Sequence, residues 1–151
     1  MLNSLDERGF VSKEYTVKVR NHPGATSVDM VDYIRPVIRQ KPDILIIHCG
    51  TNDITNNVKY LRNVKTMVRE VRGDSPSTKI VFSSLFRRYD IQDGALIVDE
   101  INNRLRNYCQ QQNMDYIDNK NITEELLGKK KLHPTLKGSS VFAKNLISYL
   151  N

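Results

Sequence analysis

The stretch from Asp43 to Cys49, Asp-Ile-Leu-Ile-Ile-His-Cys, constrains the fold more than any other part of this sequence. It is a continuous apolar run of strand length, the pattern of a buried parallel strand covered by helices on both faces. Its flanks agree. Before it, Met30, Val31, Ile34, Val37 and Ile38 fall on one face of a helix that opens at Thr26-Ser27-Val28-Asp29, a capping-box spacing with Asp in place of the usual Glu. Pro36 is expected to kink that helix or end its first half. After it, Asn56 to Val71 places Val58, Leu61, Val64, Val68 and Val71 at intervals of three and four.

The same alternation extends in both directions. Tyr15 to Val19 alternates β-formers with polar residues and predicts a strand, followed by the loop Asn21-His22-Pro23-Gly24. Gly73-Asp74-Ser75-Pro76 stops the second helix. Lys79 to Ser84 predicts a strand. Leu96 to Gln111 predicts a helix with Ile97, Ile101, Leu105 and Tyr108 on one stripe. Met114 to Ile117 predicts a short strand and Ile122 to Leu127 a helical turn. Pro134 to Leu150 closes the chain as a helix, with Phe142, Leu146 and Leu150 every four residues and Pro134 suited to its first position. Strands alternating with helices imply an α/β fold with parallel strands joined by right-handed crossovers. With 151 residues, no repeat and no linker, residues 1–151 read as a single domain.

Composition excludes several classes. The longest aliphatic run, Ile44 to Ile47, is too short to span a bilayer, and Met1 to Arg8 holds no apolar stretch of signal-peptide length. The chain therefore reads as intracellular and cytoplasmic, and Cys49 and Cys109 suit a reducing compartment. The net charge of +6 is compatible with nucleic acid as a partner, but no basic patch interleaves with aromatics. A soluble domain with excess lysine explains the charge equally, and Lys129-Lys130-Lys131 reads as a solvated loop.

In open parallel sheets the site lies beyond the carboxyl ends of the strands. Gly50-Thr51-Asn52-Asp53 follows the apolar strand. Its Asn offers an N–H to a developing oxyanion, and its Gly lets a substrate approach the backbone; the same residues also make an ordinary turn. Gly24, after the first strand, carries a backbone N–H that suits a second donor, although Pro-Gly is a common turn. His133, in Leu132-His133-Pro134, stands where a general base would, or where an exposed loop histidine would. Gly138, in the first turn of the last helix, permits close helix–sheet packing.

Pro23-Gly24-Ala25, Gly50-Thr51-Asn52-Asp53 and His133-Pro134-x-x-x-Gly138 together resemble the motifs of the SGNH (GDSL-like) ester hydrolases, in order and in position. The resemblance runs from about Tyr15 to the end. It implies a three-layer α/β/α sandwich with a flavodoxin-like sheet, and a small acyl-ester substrate without cofactor or metal. It assigns Gly24 and Asn52 to the oxyanion hole and His133 to the general base, with Gly50 and Asp53 supporting them. Pro23 to Thr26, Asp32 to Pro36 and His48 to Asp53 further resemble esterase domains associated with invertebrate retrotransposons.

Two positions depart from the family. Its opening apolar strand, ending in Gly-Asp-Ser with the nucleophilic serine, has no counterpart here; the pattern would put it just before Met1-Leu-Asn. The Asp that usually stands three residues before the histidine is Lys130. Some relatives work with a backbone carbonyl in that role, and Asp118 is a substitute to consider. The expectation is thus a domain truncated at its N-terminus, without its first strand, and inactive as given. The strands at Tyr15–Val19 and Asp43–Cys49 would each lack a neighbour. The alternative is a non-catalytic module of a mobile-element protein. Ser4 as nucleophile, Cys49 paired with His133, and a metal site among His22, His48, Cys49 and His133 are weaker readings, the last because ligand spacing is wrong. No phosphate-binding glycine loop is present. Oligomeric state is not legible.

Overall fold

The computed structural model describes residues 14–151. Helix α1 spans Ser27–Arg39 and starts in a full capping box: Thr26 accepts from the Asp29 backbone N–H and the Asp29 carboxylate accepts from the Thr26 N–H. Strand β1 is Ile44–Ile47, and a 3-10 turn follows over Thr51–Asn56. Then come α2 (Asn57–Asp74), β2 (Lys79–Ser83), α3 (Gly94–Gln111) and β3 (Asp115–Ile117). A 3-10 turn over Glu124–Leu126 precedes α4 (Leu136–Leu150). Among the described residues the sheet has three parallel strands in the order β1-β2-β3, with Ile46 opposite Val81 and Phe82 opposite Tyr116.

Period-two alternation along the strands divides the core into two layers. Leu45, Ile47, Ile80, Phe82 and Tyr116 face α1, α2 and α3, meeting Ile34, Ile38, Val64, Val68, Val98, Ile101 and Leu105. Ile44, Ile46, Val81 and Ile117 face the other way, against Phe142 and Leu146 of α4. The result is the expected α/β fold, a parallel sheet between helical layers. Its carboxyl edge gathers the loops after Ile47, Ser83 and Ile117.

Several expectations need correction. Tyr15 to Val19 forms no ladder among the described residues. Its side chains still alternate between half-buried and exposed, with Val17 and Val19 packed on the α4 side of the sheet. The amphipathic pattern fixes which residues turn inward, whereas a strand also requires a hydrogen-bonded neighbour. For the same reason β1 is less covered than its apolar run implies: β2 is its one ladder partner among the described residues, and Ile44 to Ile46 are only half-buried. Pro36 sits on the exposed side of α1 and does not end it, since the helix continues to Arg39. Pro134 is not the first helical residue; it bridges to Leu127, and Thr135 caps α4 by accepting from the Gly138 N–H. Gly138 packs against the Leu126 carbonyl rather than the sheet, where a Cβ would lie 2.4 Å from that oxygen.

Leu105 is fully buried between α3 and the sheet. Leu105→Ala is expected to lower unfolding free energy by about 3 kcal/mol in urea titration, the usual cost of an uncollapsed cavity.

Candidate active site

Three loops at the carboxyl edge enclose a cleft of about 170 Å³ lined by Gly24, Ala25, His48, Gly50, Asn52 and His133, among others. All three residues with expected roles, Gly24, Asn52 and His133, therefore face one space. Each is held by a different local device.

Gly50 makes the turn that leaves β1. Its φ of +118° lies where side chains are strained, and a Cβ there would come within 2.2 Å of the Tyr60 ring. The turn then closes with the Asp53 N–H donating to the Gly50 carbonyl at 2.9 Å. Asp53 is buried. One carboxylate oxygen accepts from the Ser27 N–H at 2.9 Å, and the other accepts from the Ser27 hydroxyl. Asn63 donates to the same hydroxyl at 2.8 Å. A carboxylate at the first residue of α1 also meets the positive end of the helix dipole. Asp53 thus fastens the start of α1 to the loop after β1.

That fastening sets the two candidate oxyanion donors side by side. His22-Pro23-Gly24-Ala25 is a turn in which Ala25 N–H donates to the His22 carbonyl at 3.1 Å, with Gly24 at φ +77° in the third position. The exposed Asn52 side chain donates from Nδ2 to the Ala25 carbonyl at 2.9 Å. An amide carries two N–H groups, so this bond orients Asn52 and leaves its second N–H to serve the cleft. The turn and donor readings of Gly24 are therefore compatible.

His133 stands across the cleft on the loop before α4. Its carbonyl accepts from the Gly128 N–H at 2.7 Å. The imidazole pKa is lowered, first by the cover its ring receives, then by the positive charges of Arg88 and Lys130, against the opposing effect of Asp90. A lowered value keeps the ring neutral, as a proton acceptor must be. Asp118, considered above as a substitute orienter, is elsewhere. It lines a separate cavity of about 240 Å³ beside Arg87, Arg106 and Tyr116. The carboxylate whose charge acts on His133 belongs to Asp90, which sequence reading passed over because only folding brings the loop after β2 against the loop before α4.

The weaker candidates separate as well. His48 reaches the cleft wall but is set between the Phe86 and Phe142 rings, each 4.8 Å away, with Nδ1 3.1 Å from the Ser83 hydroxyl. Burial lowers its pKa to about 4. Burial raises the Cys49 thiol to about 12, which leaves almost no thiolate at neutral pH and disfavours it as a nucleophile. The literal tripeptide Gly73-Asp74-Ser75 ends α2 at the opposite, amino edge of the sheet, where the buried Ser75 hydroxyl bonds Thr78 at 2.6 Å. Ser4 lies outside the described residues. No three His, Cys, Asp or Glu side chains among the described residues are grouped to hold a metal ion. No helix there is long and apolar enough to cross a membrane.

The chain belongs to the GDSL-like Lipase/Acylhydrolase family, whose model matches residues 4–141. No curated protein matches it. Among solved structures it is similar to a carbohydrate esterase family 3 protein from Talaromyces cellulolyticus, at TM-score 0.74 and 20% identity, covering 92% of this chain and 72% of that one. A GDSL-like lipase from Bacteroides thetaiotaomicron gives 0.72 at 19% identity, over 85% and 73%. A catalytic mutant of an acetylxylan esterase from Geobacillus stearothermophilus gives 0.71 at 17%, over 85% and 68%.

Two outcomes are expected. Gly50→Ala should cost on the order of 3 kcal/mol in chemical unfolding, from backbone strain plus the collision with Tyr60. His48 has a folded pKa below its unfolded value of 6.5, so the unfolded chain binds the extra proton. Its contribution to stability is complete above pH 6.5 and is lost as pH falls toward about 4. Urea unfolding at pH 7 and pH 5 should show that loss in the parent, and a smaller one in His48→Gln.

Proposed function

We propose that this chain supplies the oxyanion hole and the general base of a serine ester hydrolase acting on small acyl esters. The observation that carries the reading is the shared cleft of Gly24, Asn52 and His133 at the carboxyl edge. In this scheme a serine hydroxyl attacks the ester carbonyl while His133 takes its proton. The Gly24 N–H and the second N–H of Asn52 donate to the oxygen that becomes negative. His133 then hands the proton to the departing alcohol, and a water deprotonated by the same imidazole releases the acid. Gly50 and Asp53 hold the donors in place.

Among the described residues, no serine lines the cleft. We assign the nucleophile to a serine at the end of an apolar Gly-Asp-Ser strand, which these 151 residues do not contain, and hold them to be inactive by themselves. The cleft volume of about 170 Å³ favours short acyl groups. The second reading, a non-catalytic binding module, draws on the missing serine and on the net charge of +6. The likeness of Pro23–Thr26, Asp32–Pro36 and His48–Asp53 to retrotransposon-associated esterases supports a mobile-element origin for either version. For the binding module, the partners to test are nucleic acid, a membrane surface or another protein.

Hydrolysis of a chromogenic acetate ester distinguishes the two. The chain as given should match the buffer rate, and a form extended by an apolar strand ending in Gly-Asp-Ser should turn over. In the extended form, Asn52→Ala should lose roughly a hundredfold in kcat, as for one oxyanion donor, and His133→Ala should be nearly inactive. Because the His133 pKa is lowered, kcat/KM should hold to below pH 6.5 before it falls. An inactive extended form that binds RNA with steep salt dependence would favour the module instead.

A further inference from the structure

The loop after β2 reaches both walls of the cleft through consecutive residues. Arg88 is largely buried, its side chain 15% exposed. Its Nη1 donates to the Thr51 carbonyl at 3.0 Å, inside the turn that carries Asn52. Its Nε and Nη2 donate to the two carboxylate oxygens of Asp90, at 2.9 and 2.5 Å. The next residue, Tyr89, donates its backbone N–H to the Lys131 carbonyl at 3.1 Å, on the loop that carries His133.

We propose that Arg88 and Asp90 form a positioning clamp that fixes the separation of the Asn52 wall from the His133 wall. The proposal rests on the ester-hydrolase reading for its significance, but its geometry stands without it. A guanidinium is suited to the task because its planar fork holds a carboxylate with two bonds while the remaining nitrogen reaches a carbonyl. Asp90 accepts from Arg88 on both oxygens and acts on His133 through its charge. Arg88, Asp90 and Lys130 are the charged side chains of the described residues that act on that ring, two positive against one negative.

The test needs no catalysis and uses the chain as it is. Amide exchange of Gly50 to Asp53 and the NMR titration of His133 are measured in the parent, Arg88→Gln, Asp90→Asn and Arg88→Lys. In Arg88→Gln the Gly50–Asp53 amides should exchange roughly tenfold faster or more, the equivalent of one lost charge-assisted hydrogen bond. The His133 pKa should rise, since a nearby positive charge has gone. In Asp90→Asn it should fall. Arg88→Lys keeps the charge and loses the fork, so exchange should quicken while the His133 pKa stays near the parent's; it also serves if Arg88→Gln does not fold. Parent-like exchange at Gly50–Asp53 in both Arg88 variants would overturn the clamp. So would acceleration shared equally by core amides such as Val68 and Leu105. Failure of the hydrolase reading would appear separately, as an inactive extended form with the clamp intact.

Discussion

The buried carboxylate of Asp53 is the contact on which the rest of the site depends. By accepting from both the backbone and the hydroxyl of Ser27, it joins the start of α1 to the turn after β1. Everything on that wall follows. The His22–Ala25 turn precedes α1 directly, so fixing Ser27 limits where the Ala25 carbonyl can lie, and that carbonyl orients Asn52. Such a carboxylate is stable in the interior because its oxygens are hydrogen-bonded and it sits at a helix N-terminus. Losing it would leave the Ser27 N–H without its acceptor, at a cost larger than the mean worth of a hydrogen bond.

The second constraint is steric. Tyr60 is buried against Gly50, so the chain can leave β1 only through a residue without a Cβ. The aromatic ring and the glycine together aim the turn at the cleft. The opposite wall has a different origin. There the loop before α4 is closed by backbone bonds from Gly128 to His133 and from Lys131 to Gly128, and is tied across by Tyr89. Backbone pairing holds one wall and a buried carboxylate the other, and Arg88 reaches from the loop between them to the Thr51 carbonyl.

The helices were legible in the sequence to within two or three residues at their ends, as was the alternation that makes the sheet parallel. A 3.6-residue stripe such as Val64, Val68 and Val71 has one burial solution, and Thr26 with Asp29 marks a helix start by local hydrogen bonds alone. The family motifs named Gly24, Asn52 and His133 before any geometry was known. Three features were not legible. Pairing of Tyr15–Val19 depends on a neighbour, which no local pattern supplies. Asp118 and Asp90 both follow strands in the sequence, yet only Asp90 has a loop that folds toward His133. Arg88 reads as one surface arginine among many until its three bonds are seen.

The sequence by itself determined the layers, the family and the three residues facing the cleft, because periodicity, capping and short motifs are local properties of a chain. Only the tertiary structure decided which charges surround His133, how Asn52 is turned, and that burial keeps the Cys49 thiol protonated. Those outcomes depend on burial and on contacts between residues tens of positions apart. Desolvation and through-space charge act on where atoms finish, and spacing along the chain carries no record of that.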